Sequence, residues 1–320
     1  MSPVIRRVAW LGIGVFASVA IFLLKPVLAA PPTIAPPIET TDGASNEATK
    51  DEVAAAGPSE PLYVRVHSVD GKLSALQTAT VRFVGKPNSP YADRIVDLVG
   101  VVHIGQAEYY QQLDDQLASY EKVLYELVAP DGTRIRPEDL QARRSLLASV
   151  QTGMKDMLNL EYQLERIDYL ATNFRHADMS PDEFVADLER RGDSVWKMVA
   201  RMMGAGLASQ AQTGGDAGLL MALFSRDRPK MMKQAMAKQL VDMELITAGI
   251  NDESGDNTLI KGRNRKAFEV LREELDAGGR KLAVFYGAGH LNDMAERLES
   301  DFQMQRGETT WLDAWDLTRN

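Results

Sequence analysis

Two of the chain's four histidines stand in matching contexts. His103 closes the run Ile95-Val96-Asp97-Leu98-Val99-Gly100-Val101-Val102-His103, and His290 closes Lys281-Leu282-Ala283-Val284-Phe285-Tyr286-Gly287-Ala288-Gly289-His290. Each run is mainly apolar and ends in Gly-x-x-His. A neutral imidazole nitrogen can take a proton near neutral pH or ligate a divalent metal. Two of them brought together can hold a metal that acidifies a water, or activate a water directly. One such histidine alone is as well read as an inert, hydrogen-bonded residue at a strand end, so it is the matched pair that points to function.

The surrounding residues give the elements that must carry this pair. A short apolar run bounded by glycine reads as a buried strand, and the stretches after each histidine, 106–120 and 291–298, suit helices. In open α/β sheets ligands bind at the carboxyl ends of strands, where loops converge and helix N-termini point donors, so both histidines are expected at one such edge. Residues 62–66 and 78–84 read as two antiparallel strands with the turn-forming pair Asp70-Gly71 between them. The run Lys122-Val123-Leu124-Tyr125-Glu126-Leu127-Val128 is an apolar strand interrupted by one acid. Buried on both faces of a parallel sheet, Glu126 requires a partner or a ligand; on an edge strand it faces water.

Residues 140–249 read as long, mostly helical and poor in strand signals. Within them Ser180-Pro181-Asp182-Glu183 is a helix start with a capping box, and Gly192 is its stop. Eight of the 14 methionines fall between Met198 and Met243, some at helical i, i+4 spacing. They suit a helical core, or an adaptable apolar groove with a mobile lid. Residues 259–275 read as a helix that carries Arg263 and Asn264 into the second Gly-x-x-His strand, with Arg265, Lys266 and Arg272 in solvent. A last strand is expected over 309–317, anchored by Trp311 and Trp315. Together these predict an α/β fold: a central mixed β-sheet with a largely helical middle insertion over about 140–250.

The chain of 320 residues, 45% hydrophobic and 25% charged, can bury a sizeable core. Its net charge of −9 argues against nucleic acid as a partner. With no cysteine, there is no disulfide and no thiolate ligand, and any metal must be held by histidine and oxygen donors. Residues 1–30 read as a signal peptide or an uncleaved N-terminal membrane anchor, with Arg6 and Arg7 ahead of an apolar run and a small residue at Ala29. The remainder is then extracytoplasmic, in the periplasm or secreted. Residues 31–61, proline-rich and then polar and acidic, read as a disordered linker, and the folded domain is expected over 62–320.

The motif Gly100-Val101-Val102-His103, the acid of Tyr125-Glu126-Leu127, the pair Arg263-Asn264 and the run Gly287-Ala288-Gly289-His290-Leu291 occur in the order seen in the TraB/PrgY/GumN family, which includes the TIKI proteases. The chain resembles that family over roughly residues 62–317. The family in turn is similar to erythromycin esterase and to the ChaN-like haem-binding proteins. The resemblance implies a central sheet flanked by helices, metal-dependent peptidase activity, and a site of His103, Glu126, Arg263, Asn264 and His290. The chain departs from many members just after the second histidine, where Leu291-Asn292-Asp293-Met294 replaces a glycine-containing loop, so the substrate does not carry over.

On these expectations His103, His290 and Glu126 bind a divalent metal such as Mn, Co or Zn, and the substrate is a peptide or another small acyl compound. Glu126 is a ligand or a general base, Arg263 stabilises the oxyanion, and Asn264 assists its orientation. A metal-free esterase with one histidine as base is the nearer alternative. A binding protein that sequesters a peptide signal or haem, the latter through Tyr286, is the more distant one. Glu161, His176 and Asp178 rank below these positions as polar partners.

Overall fold

The computed structural model describes residues 63–130, 133, 158, 160–194, 197–198, 225, 227–249 and 256–319, with the backbone alone over 242–249. The expected leader, the linker and most of the methionine-rich stretch lie outside the described residues.

A long strand, β2 (Lys72–Gly85), is the hub of the sheet, and it begins as one arm of a hairpin with β1 (Val64–Val69). The hairpin turns at Asp70 and Gly71, whose φ angles of 50° and 75° are the left-handed values a two-residue turn between twisted strands requires. Next come β3 (Ile95–Val101), the two-residue β4 (Ile104–Gly105), helix α1 (Ala107–Leu117) and β5 (Lys122–Tyr125). The middle of the chain supplies β6 (Glu161–Tyr162), α2 (Gln163–Arg166), β7 (Phe174–His176), α3 (Pro181–Arg190) and α4 (Arg228–Gly249). A π-helical turn, Thr258–Gly262, runs into α5 (Arg263–Asp276), and the chain closes with β8 (Lys281–Gly287), a 3-10 turn (Ala288–His290), α6 (Leu291–Ser300) and β9 (Met304–Asp316).

Seven strands form one mixed sheet. β3, β8, β5 and β7 are parallel neighbours in that order, whereas β2 pairs antiparallel with β1, β3 and β9. β9 pairs with residues 75–85 of β2, and this span overlaps the partners of both β1 and β3. A strand has two edges, so β9 occupies one and β1 and β3 lie end to end on the other. β4 and β6 make a separate two-stranded ladder.

Strands covered on both faces must be apolar throughout, and Val96, Leu98, Val123, Leu124, Leu282, Val284 and Phe285 are accordingly buried. The one acid inside this block, Asp97, is neutralised by Arg82 directly opposite it on β2, through two hydrogen bonds of 2.9 and 3.0 Å, and accepts a third from Tyr120. Helices lie on both faces. Gln116 of α1 reaches Thr80 at 3.1 Å, and Thr80 pairs with Val99. A side chain at the next residue, Gly100, would point the other way and meet Leu291 of α6 at 3.3 Å.

The middle of the chain, expected to be mostly helical, also holds strands: β6 and β7 lie within it, and β7 joins the main sheet beside β5. Of the methionines described in that stretch, Met198 and Met232 are buried and Met236 packs against the main cluster, whereas Met231 is exposed. Among the described residues no helix is long and apolar enough to cross a membrane.

Candidate active site

The register of the four parallel strands brings their carboxyl ends to one edge. Val101 pairs with Gly287, and Tyr125 pairs with Phe285 on one side and His176 on the other. The residues that leave these strands are therefore neighbours: His103 after β3, Glu126 after β5, Asp178 after β7 and His290 after β8. Gly287 is their meeting point. A Cβ added there would stand 3.2 Å from Glu126 Oε2 and 3.9 Å from both His103 Nε2 and His290 Cδ2. The two Gly-x-x-His histidines thus face one cleft.

His103 is exposed, and it is held by several anchors. Tyr110 of α1 donates to the carbonyl of Val102 at 2.9 Å, fixing the backbone just before the histidine. The β4–β6 ladder brings in Gln163, whose backbone N–H donates to the His103 carbonyl at 3.0 Å. Gln163 Oε1 also lies 2.8 Å from His103 Nδ1, while its Nε2 donates to the Tyr169 hydroxyl at 2.7 Å. With the amide nitrogen so committed, the amide oxygen is the atom that faces Nδ1, and Nε2 points toward Gly287.

His290 is buried in the 3-10 turn that caps β8. Asn264 holds it twice: Oδ1 lies 2.7 Å from His290 Nδ1, and Nδ2 donates to the His290 carbonyl at 3.1 Å and to Asp293 at 2.8 Å. Burial pushes its pKa down to about 4, with the Arg263 guanidinium acting the same way and the charge of Glu126 opposing. The ring is neutral at pH 7, and its Nε2 faces Arg263 Nη1 at 3.3 Å.

Arg263 opens α5 and is itself buried. It donates to Asp178 at 3.0 and 2.6 Å and to Glu126 Oε1 at 2.6 Å. The second Glu126 oxygen accepts from the backbone N–H of Gly287 at 2.7 Å. Burial opposes ionisation of Glu126, but the Arg263 charge, the neighbouring imidazoles and the Gly287 N–H outweigh it and hold the carboxyl far below the usual carboxylate range.

Local sequence explains how Asp178 and Arg263 are aimed at each other. Asp178 immediately precedes α3, which starts with the capping box of Ser180 and Glu183. Glu183 also pairs with Lys266 of α5 at 2.9 Å, and buried Asp187 of α3 accepts from Thr258 at 2.7 Å. Gly262 lets these elements close up, since a Cβ there would meet Asp187 Oδ2 at 2.9 Å.

All five positions singled out in the sequence, His103, Glu126, Arg263, Asn264 and His290, meet at this edge. Glu126 is not on an edge strand, because β5 lies between β8 and β7. The Arg263 guanidinium is engaged by Asp178, Glu126 and His290, and the Asn264 amide by His290 and Asp293. Arg265 and Lys266, expected in solvent, form ion pairs with Asp256 and Glu183, and Arg272 stacks on the Phe302 ring.

Asp178 ranks with the central residues, whereas His176 hydrogen-bonds the Leu127 carbonyl and Glu161 pairs with Arg166. The Tyr286 hydroxyl donates inside the core to the Ala177 carbonyl, so it is not presented as an iron ligand. Gln163 has no counterpart in the sequence reading.

Two imidazoles and a carboxylate are suitable donors for a divalent metal, but their arrangement here does not fit one. Glu126 Oε1 and His290 Nε2 lie 3.5 Å apart, close enough to share an ion, and the Arg263 guanidinium already bridges them. Among the described residues no group of three or more histidine and acidic side chains gathers as a metal shell. Compared with models of protein families, with curated proteins and with solved structures, the chain matches none.

Proposed function

We propose that the chain is a hydrolase of a peptide or other acyl bond, with His103 Nε2 as the base that takes a proton from the attacking water. The observation that carries this reading is an exposed imidazole whose Nδ1 is tied to Gln163 and whose Nε2 faces an ionised carboxylate, Glu126. The carboxylate stabilises the imidazolium that forms as the water adds to the carbonyl carbon, and the imidazolium then protonates the leaving group. Arg263, buried and paired, keeps Glu126 ionised and in place, and its second Nη1 hydrogen is the donor left for the developing oxyanion. His290 and Asn264 hold Arg263 and the 3-10 turn.

The similarity of the four motifs to the TraB/PrgY/GumN family supports the same reaction class. The leader-like residues 1–30 support a reaction outside the cytoplasm, in the periplasm or secreted, with the domain anchored if the leader is retained.

The test is cleavage of peptide and ester libraries by the full chain, stripped with a chelator and then assayed with and without added Mn, Co or Zn, beside His103→Ala and Glu126→Gln. Cleavage that survives chelation and falls at least a hundredfold in both variants is the expected result. Cleavage only after metal is restored would require Arg263 to give way to a metal, contradicting the metal-free step, and unchanged cleavage in folded His103→Ala would remove the base.

A further inference from the structure

We propose that Gln163 is a positioning residue that locks His103 in the tautomer with the proton on Nδ1 and the lone pair on Nε2. Such a lock matters because only that tautomer lets Nε2 accept a proton, so the inference rests on the hydrolase reading for its use, though not for its existence.

Gln163 is buried, and an amide taken out of water must find partners for its oxygen and its nitrogen. Both find one. The nitrogen donates to the buried Tyr169 hydroxyl at 2.7 Å, which leaves the oxygen 2.8 Å from His103 Nδ1. The Gln163 backbone N–H binds the His103 carbonyl as well, so the ring cannot drift from the amide without opening the β4–β6 ladder. Among the described residues His103 Nε2 has no hydrogen-bond partner, so the direct 2.8 Å contact at Nδ1 outweighs the more distant charge of Glu126, which alone would draw the proton to Nε2. The second motif repeats the device, with the Asn264 amide oxygen 2.7 Å from His290 Nδ1. Each Gly-x-x-His histidine therefore has its own carboxamide.

A buried glutamine that merely satisfies the fold would give the same distances, and the tautomer separates the two. In the full-length chain labelled with ¹⁵N-histidine, the His103 ring signals are those lost in His103→Ala. The wild type is expected to show a protonated Nδ1 and a bare Nε2. Gln163→Leu should shift the ring toward the Nε2–H form, while Gln163→Glu, which keeps an acceptor oxygen at that place, should restore Nδ1–H. Where cleavage is detected, turnover in Gln163→Leu should drop about 10- to 100-fold with KM unchanged, and recover in Gln163→Glu. A wild-type ring protonated on Nε2, or a folded Gln163→Leu with the wild-type tautomer, overturns the inference. A correct tautomer in a chain that cleaves nothing upholds the lock while defeating the hydrolase.

Discussion

Arg263 is a charge removed from water, and a buried guanidinium is tolerable only when acidic partners compensate it. Asp178 accepts two of its hydrogen bonds and Glu126 a third. Removing one partner leaves the charge under-compensated, so Asp178→Ala is expected to destabilise the fold by about 3–5 kcal/mol, read from urea unfolding. His290 sets a second expectation, for pH. Its ring binds a proton less readily in the native state, at about 4, than the ordinary value of 6.5 that the unfolded chain offers. Unfolding therefore takes up a proton between those values. The stabilising contribution of the neutral ring is complete above pH 6.5 and is lost as pH falls through 4, for a total on the order of 3 kcal/mol. Glu126 acts in the same sense at lower pH, its native carboxyl losing its proton more easily than the unfolded one. Melting temperature should fall steadily from pH 6.5 to pH 4, and His290→Gln should flatten that slope.

At the scale of elements, the site depends on how closely the end of β8 approaches its neighbours. Gly287 has an ordinary φ of −51°, so alanine there strains no backbone; its methyl group would instead press on Glu126 Oε2 at 3.2 Å. Gly287→Ala should displace the carboxylate, costing about 1–3 kcal/mol by thermal unfolding and most of any activity. This edge was largely legible in the sequence, because both histidines end apolar runs long enough to carry a strand signal and Glu126 interrupts another. The partners were less so. β7 has three residues, Phe174, Arg175 and His176, too few for alternation to register, and so Asp178 could not be placed beside an arginine 85 positions away. Gln163 follows a strand of two residues and owes its importance to a contact 60 positions distant. Strand limits failed for a related reason. β9 starts at Met304 rather than near 309, since Met304, Gln305 and Arg306 pair with β2 while Gln305, Gly307 and Glu308 are exposed, which leaves no hydrophobic pattern to read.

For the molecule as a whole, β2 joins two different sheets in one: the parallel block that presents the site, and the antiparallel flank of β1 and β9. Among the described strands β9 pairs with β2 alone, so a 13-residue strand borders the sheet. Its register slips twice, between Leu76 and Gln77 of β2 and between Val81 and Phe83, and each time β9 carries the extra residue: Ala314 in one place, and the Gly307-Glu308 step opposite Arg82 in the other. Each slip bends the ribbon and turns successive backbone groups out of line. Deleting Gly307 should straighten this border and raise the apparent mass in sedimentation above that of the wild type, with the wild-type value restored by adding a charge at Thr310. The irregularities that look like flaws in the ladder serve as its terminus: a second chain laid alongside would find the row of amides out of step with its own, and the sheet ends at its own boundary without recruiting a stranger.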